Sequence, residues 1–542
     1  MDTDEVISER NDSIVREELQ GDPGGSEQGG KPEGDLTGRD RLVSNVLFSW
    51  GAHFVFIVAG FIMPRMIDRR LGQESLGVWD FAWSLVSYFG LVQAGIGSSV
   101  NRYVARYWAA KDIAGVNRTV SSAFFVVGIA GMLVMGMTAA VSLLLPELFG
   151  GRLGESVREA QWVVFSLGTS LGIQIFLNVF IGVLTGCHRW GLHNMITSGW
   201  HLVTVAGMIV ALLLDGGLPS LAIITLLGQL LADITRAIAA YRVCEGLQLR
   251  PSLVKLEMIG RLFVFGGKSL IPSVSNLLLN QTTSIMIVAY LGPAALALYS
   301  RPRSLMLHIN TLVHKMAMVL VPTTSSLQRA GDMEKIRDLS IKAVRYSFYM
   351  VLPMVLVLVL FGGPILQLWM GSRYANGLVP AILAAGSLAT MVQTPVLMIL
   401  AGMNAHGRAG MAQFVASLCS VGLTILALGY LKWGIVGAAV AVTLPLTIMN
   451  VVYLPLLICR RIGLNVGRYF VSVSTGPVIH VLPFAICLVA ARLAFSTEPT
   501  TGLAWGGSVG GTILVVLYFQ YVLPDRIKMR VFRFVGLRGS AA

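Results

Sequence analysis

From residue 43 onward the chain repeats one pattern: about twenty apolar residues, a short polar turn, and another apolar run. A helix of about 20 residues crosses the ~30 Å hydrocarbon core of a bilayer. Turns are too short to hold a folded domain, so the runs read as membrane spans joined end to end. They predict helices near 43–66, 76–98, 118–145, 160–186, 192–214, 218–242, 264–290, 300–322, 344–369, 378–403, 410–431, 434–458, 470–494 and 503–523. The fold class expected is an all-α integral membrane protein of about fourteen transmembrane helices.

Composition supports this. Hydrophobic residues make up 55% of the 542 residues and charged residues 13%, against about a quarter charged in soluble chains. The 59 glycines suit helices packed closely on small side chains in lipid. Charge is unevenly spread. Residues 1–40 hold 12 acids and 4 bases, and the remainder 37 bases and 16 acids. The first forty residues, with GDPGGSEQGGKPEGD at 21–35, have the composition of a disordered acidic tail without a cleavable signal peptide. The basic residues sit in short connections, where the positive-inside rule accounts for them without nucleic acid. Even-numbered connections are the basic ones, with Arg102, Arg106 and Lys111, then Arg242, Arg250 and Lys255, then Arg329, Lys335 and Arg337, then Arg460, Arg461 and Arg468. Both termini are therefore expected in the cytoplasm, with the protein in the bacterial cytoplasmic membrane. Arg65, Arg69 and Arg70 after the first span run against this rule.

The five cysteines (Cys187, Cys244, Cys419, Cys459, Cys487) lie in or beside apolar runs without paired spacing. They are expected to pack rather than to form disulfides. No H-x-x-x-H or His/Cys cluster suggests a metal, and no GxxxxGK[ST] loop suggests ATP. No cofactor and no catalytic residue is expected.

An internal repeat emerges at an offset of 220. LGQESLGVW (71–79) pairs with LGPAALALY (291–299), and AAKDIAGVNR (109–118) with RAGDMEKIRD (329–338), so that Asp112 meets Asp332. LTGCHR (184–189) parallels LAGMNAHGR (400–408) with a small shift. The expected organisation is an acidic tail (1–40), two six-helix bundles (41–243 and 244–460), two added spans (461–524) and a basic tail (525–542). Both bundles begin on the same side, so their pseudo-axis runs along the membrane normal.

LGQESLG…LVQAGIGSSVNRYVARY (71–107), followed by PTTSSLQRAGDMEKIRDL (322–339), resembles the multidrug/oligosaccharidyl-lipid/polysaccharide exporter superfamily. Within it the chain is most similar to lipid-linked oligosaccharide (O-antigen) flippases of polysaccharide biosynthesis, over about residues 40–460. The resemblance implies a central cavity lined by the first, second, seventh and eighth spans, open alternately to the two membrane faces. It implies a cargo of glycan on an isoprenoid pyrophosphate.

Four spans carry the polar residues that suit such a cavity. In the eighth, Arg301, Ser304, His308, Thr311 and Lys315 share one helical face, with Arg303, Asn310 and His314 nearby. Cations facing lipid are costly, so this stripe is expected to face water and an anion, with Arg gripping phosphate oxygens. The bland reading has Arg301 and Arg303 snorkelling at the interface. In the seventh span Ser269, Ser273, Asn276, Asn280 and Thr283 form a polar line, suited either to sugar hydroxyls or to interhelical packing. In the first, Asn45, Ser49 and His53 form another, and the second offers Asp80, Trp83, Ser87 and Tyr88. Asp80 and, in the sixth span, Asp233 are candidates either for pairing with a base or for taking up a proton during coupling.

Four functions remain in play. A flippase of lipid-linked oligosaccharide fits the cationic stripe, with polysaccharide polymerase or glycosyltransferases as candidate partners. A peptidoglycan-precursor exporter shares its requirements. A cation-coupled multidrug exporter of the same superfamily wants buried carboxylates, which the first (43–66) and seventh spans lack, and the cationic eighth span would repel its cargo. A membrane-embedded glycosyltransferase, polymerase or ligase needs a sizeable outer loop, and none is present.

Overall fold

The computed structural model describes residues 42–93, 96–260 and 270–523, together with Asp525 and Lys528. The acidic tail and most of the basic tail lie outside the described residues. The described chain is a series of helices without strands: α1 (Leu42–Leu71), α2 (Gln73–Val92), α3 (Ile96–Ala109), α4 (Ile113–Leu153), α5 (Val157–Gly186), α6 (Trp190–Leu213), α7 (Leu218–Val243), α8 (270–291), α9 (Pro293–Ala317), α10 (Leu320–Arg329), α11 (Met333–Met370), α12 (Leu378–Gly402), α13 (Gly407–Tyr430), α14 (Gly434–Ile462), α15 (Val466–Ala494) and α16 (Pro499–Val522).

Among the described residues, eleven helical runs are long and apolar enough to cross a membrane. One of them, Ile113–Gly186, holds both α4 and α5. Helices α1 and α8 stand where the first and seventh spans were expected. Large side chains such as Leu143, Leu214 and Leu493 are about three-quarters exposed on the outside of the bundle. A soluble protein does not present so much apolar surface to water, and lipid is the solvent that suits it. The protein is thus an all-α, multi-pass membrane protein. Helices α3 and α10 depart from the sequence expectation: each is a short amphipathic connector where the polar composition predicts a loop.

The internal repeat is visible in the backbone. Residues with positive φ pair across the chain: Gly72 with Gly292, Lys111 with Gly331, Gly154 with Gly371, His188 with Asn404, Asp215 with Lys432, and Gly246 with Gly463. Offsets run from 216 to 220. Of the described residues with positive φ, Gly434 alone falls outside this pairing. Such conformations are uncommon outside glycine, so their recurrence in order marks the same helix ends and turns used twice. Asp112 and Asp332 repeat a side-chain cap as well: Asp112 accepts from the Gly115 amide at 2.8 Å and Asp332 from the Lys335 amide at 3.0 Å. The connectors are seated alike. A Cβ on Gly186 would lie 2.7 Å from Val104 of α3, and one on Gly402 would lie 2.6 Å from the Val321 carbonyl of α10.

Packing then divides along the repeat. Helix α5 lies against α4, α7 and α3, and α1 against α6; in the second half α12 lies against α14 and α11, and α13 against α14. Helices α15 and α16 pack on one another and on α11. There Tyr349 meets His480 Nδ1 at 2.7 Å, and the Tyr518 hydroxyl donates to the Tyr349 carbonyl at 2.6 Å. Cys187 and Cys244 are both buried free thiols.

Candidate functional site

The halves are tied at one end, around the turns α1–α2, α8–α9 and α11–α12. Arg65 of α1 donates to the carbonyls of Leu368 and Trp369 at 2.7 and 2.6 Å. The Trp369 indole donates to the Phe61 carbonyl at 2.7 Å, and the Tyr374 hydroxyl to Asp68 at 2.7 Å. Gln73 donates to the Ala294 carbonyl at 3.0 Å. Gly77 lets α2 sit directly on the start of α9, since a Cβ there would collide with the Pro293 carbonyl. The three arginines that broke the positive-inside pattern thus include one, Arg65, with a structural duty at this end.

Just inside these ties, the Arg301 guanidinium forms an ion pair with Asp80. Arg301 is 5% exposed and its Nε has no hydrogen-bond partner. Arg301 therefore neither snorkels nor faces an open cavity: it braces α9 to α2. About two and four helical turns further along the same face come His308 and Lys315. His308 stacks over Phe61 of α1, ring centroids 5.4 Å apart, and its Nε2 lies 4.0 Å from where a Gly60 Cβ would stand. The cationic stripe of α9 therefore runs along the seam between the halves. Helix α9 itself carries no Asp or Glu, and the acid that meets its stripe at Arg301 is Asp80 of α2. The side chains of Asn45 and His53, expected on the facing line of α1, lie outside the described residues, as do those of Ser49 and Ser269. On the other flank of the seam, Tyr88 of α2 hydrogen-bonds Thr282 of α8.

Asn276, Asn280 and Arg303 do not join that stripe. They line a cavity of about 220 Å3 inside the second half, between α8, α9, α12, α13 and α14. Asn310, Ser387, Thr390, Gln413 and Thr443 add further polar groups. Asn280 donates to Asn276 Oδ1, and Arg303 donates to the Ser284 hydroxyl at 3.1 Å. Asn280 sits in a π-turn, Leu278–Thr282, where one extra residue per turn breaks the regular backbone ladder. Such turns recur at functional sites.

The first half has its own cavity, of about 410 Å3, between α1, α2, α6 and α7. Its walls are aromatic: Phe56, Trp79, Trp83, Trp200 and His201. The Trp200 indole N–H is held by Thr235 at 2.9 Å. Asp233 pairs with Arg236 one turn along α7; Gln229 donates to Asp233 at 3.0 Å and Arg236 to Thr197 at 3.2 Å. Arg236 reaches this cavity, together with Gln229 and Thr197. Neither Arg236 nor Trp200 was singled out from the sequence. Asp233 and Arg236 at i, i+3 in an apolar run were the available signal, because two buried opposite charges so spaced stand on one face.

Comparisons with known proteins follow the same lines. A family model described as polysaccharide biosynthesis protein matches residues 116–378. A putative O-antigen transporter of Shigella flexneri is 21% identical over 332 residues, 59% of this chain and 76% of that protein. Among solved structures, the lipid II flippase MurJ in an inward closed conformation superposes with TM-score 0.68 at 13% identity, over 88% of this chain and 100% of that one. An inward-facing multidrug resistance MATE family transporter of the MOP superfamily superposes with TM-score 0.65 at 18% identity, over 76% of this chain and 94% of the other. The resemblance drawn from LGQESLG and its partner motifs is borne out, and the fold is that of a membrane transporter.

Proposed function

We propose that this chain, a multi-pass membrane protein matched by a polysaccharide biosynthesis family, is a flippase. Its cargo is a glycan carried on an isoprenoid pyrophosphate, moved by alternating access across the bacterial cytoplasmic membrane. The topology is fourteen spans in two six-helix halves plus two, with both termini cytoplasmic and the tied end facing outward. The observation that carries this reading is the row of basic side chains that α9 places along the seam. Arg301 is matched by Asp80, while His308 and Lys315 continue the stripe toward the opposite end without an acid on their helix.

In this reading the pyrophosphate enters between α1 and α9 from the untied end and is drawn along Lys315 and His308. At Arg301 it competes with Asp80, because a phosphate offers the same bidentate oxygens as a carboxylate. Displacement of Asp80, or its protonation, loosens α2 from α9 and frees the tied end. Asp233, bound to Arg236, is the second carboxylate whose protonation would release an arginine. Sugars occupy the two flanking cavities: ring faces stack on the Trp and His surfaces of the first half, and hydroxyls meet Asn276, Asn280, Asn310 and Arg303 in the second. The isoprenoid tail stays in lipid.

Lipid analysis of cells lacking the protein tests this. Accumulation of a complete, cytoplasm-facing isoprenoid-pyrophosphate glycan is the expected result. Its absence, with new sensitivity to cationic dyes, would replace this reading with a multidrug exporter, whose cation would use the aromatic walls of the first-half cavity. Accumulation of the peptidoglycan precursor would identify that cargo instead.

A further inference from the structure

The outer flank of the second half carries a second, separate feature. Helices α13 and α14 enclose a groove of about 620 Å3 lined by Met411, Val415, Cys419 and Leu423 on one side and Leu444 and Ile448 on the other. At one end it opens into a cavity of about 660 Å3 lined by Arg408, Arg460 and Arg461. Arg408 and Tyr453 line both, so the two spaces are continuous. Neither is lined by an Asp or Glu among the described residues. None of the three guanidiniums has a hydrogen bond or ion pair among the described residues, and all three side chains are exposed.

Position separates this feature from the transport path. The inner cavity of the second half uses Gln413 of α13 and Val442, Thr443 and Leu446 of α14. The groove uses the opposite faces of the same two helices, and these look out of the bundle. From Arg408 to Leu423 the groove runs along about 22 Å of helix, somewhat more than the ~15 Å depth of one leaflet's hydrocarbon. The arginines stand at the even-connection end, where the connections α12–α13 and α14–α15 emerge. Tyr453, at the junction, has the amphipathic ring that belongs at headgroup level.

The geometry points to an anionic phospholipid of the bilayer as the occupant, with an acyl chain in the groove and its phosphate held by Arg408, Arg460 and Arg461. A basic pocket between transmembrane helices is suited to an acidic headgroup. The apolar groove rejects a free phosphate, which has nothing to place there. The outward aspect rejects the transported lipid, which needs the seam. The lipid is therefore a bound companion of α13 and α14, not cargo, and this inference stands whatever the flippase carries.

Native mass spectrometry of the full-length protein tests it, with phosphatidylglycerol and phosphatidylethanolamine of identical acyl chains as probes. Wild-type protein should retain phosphatidylglycerol roughly tenfold better. The variant Arg408→Gln/Arg460→Gln/Arg461→Gln should lose that preference. Cys419→Trp, which fills the groove and leaves the arginines, should lose retention of phosphatidylglycerol as well. Equal retention of the two lipids by wild type would overturn the inference without recourse to any variant. So would an undiminished preference in the triple variant, release of the lipid by inorganic phosphate alone, or preferential retention of an isoprenyl phosphate offered in competition.

Discussion

Arg301 shows how a single side chain changes meaning when its neighbour is known. The i, i+7, i+14 spacing with His308 and Lys315 places it on a cationic face, and that face is where the structure puts it. What spacing along one helix does not convey is Asp80, 221 residues away and in the other half, across the seam. The pair is largely buried, with side chains 6% and 19% exposed, so removing one partner leaves an uncompensated charge. Asp80→Asn should destabilise the protein by about 3–5 kcal/mol, read as a lowered melting temperature in detergent. Exchanging the charges, Asp80→Arg with Arg301→Asp, should recover most of that loss. A double variant no more stable than Asp80→Asn would show that the pair is not what braces α2 to α9. Asp332 gives a gentler residue-scale prediction. Its hydrogen bonds from the Lys335 side chain and amide hold its carboxyl below the usual carboxylate range. A depressed native pKa means that the cap stabilises above the unfolded value and that its contribution is lost as pH falls through the native value. The melting-temperature gap between wild type and Asp332→Ala should therefore close on acidification; a gap independent of pH would mean the carboxylate is not the capping species.

At the scale of elements, the helices follow from what was read along the chain, and the exceptions have a physical cause. Apolar runs of twenty or more residues mark α4 through α7 and α11 through α16 because lipid leaves the backbone no alternative to a helix. The connectors α3 and α10 are not legible in this way because IGSSVNRYVARYWA and LVPTTSSLQR are too polar to span, and their composition predicts loops. Their signal lay elsewhere, in the glycines of the helices they rest on. Gly186 and Gly402, inside motifs already paired by the repeat, are the small residues that allow α3 and α10 to approach. Gly402→Leu should therefore dislodge α10 and cut stability sharply. Gly136→Ala, on an open face of α4 with nothing within 4 Å, should stabilise by about 0.5–1 kcal/mol. Equal effects of the two would mean that close approach is not what requires glycine at 402. The site itself was half legible. Helical periodicity put Asn276, Asn280 and Arg303 on polar faces, but which face meets the seam and which meets an inner cavity depends on how α8 and α9 rotate against α12 to α14. One-dimensional spacing carries no information on that rotation. The aromatic cavity of the first half was missed for a related reason: Phe56, Trp79 and Trp200 lie on three helices and converge only in the packed bundle.

For the whole molecule, the proposed alternation between membrane faces would make the seam the place where one half turns against the other. The ties described at one end are local: Arg65 to α11, Trp369 to α1, Tyr374 to Asp68, Gln73 to Ala294, and Asp80 to Arg301. Around them, backbone hydrogen bonds within each half are already satisfied by the helices, so separating the halves costs these ties and the apolar contacts beside them, not the helices themselves. A carrier that alternates must break them in every cycle. Gln73, donating to Ala294 at 3.0 Å, marks a point where a covalent link would prevent this. In a background with the five native cysteines replaced, Gln73→Cys with Ala294→Cys should oxidise readily to a disulfide. Delivery of glycan to the outer surface should then stop and return on reduction, while either single substitution leaves delivery intact. Continued delivery by the fully cross-linked protein would show that the tied end never opens. The substrate would then have to leave by the side on which it entered, and alternation between the two membrane faces would have to be abandoned as the mechanism.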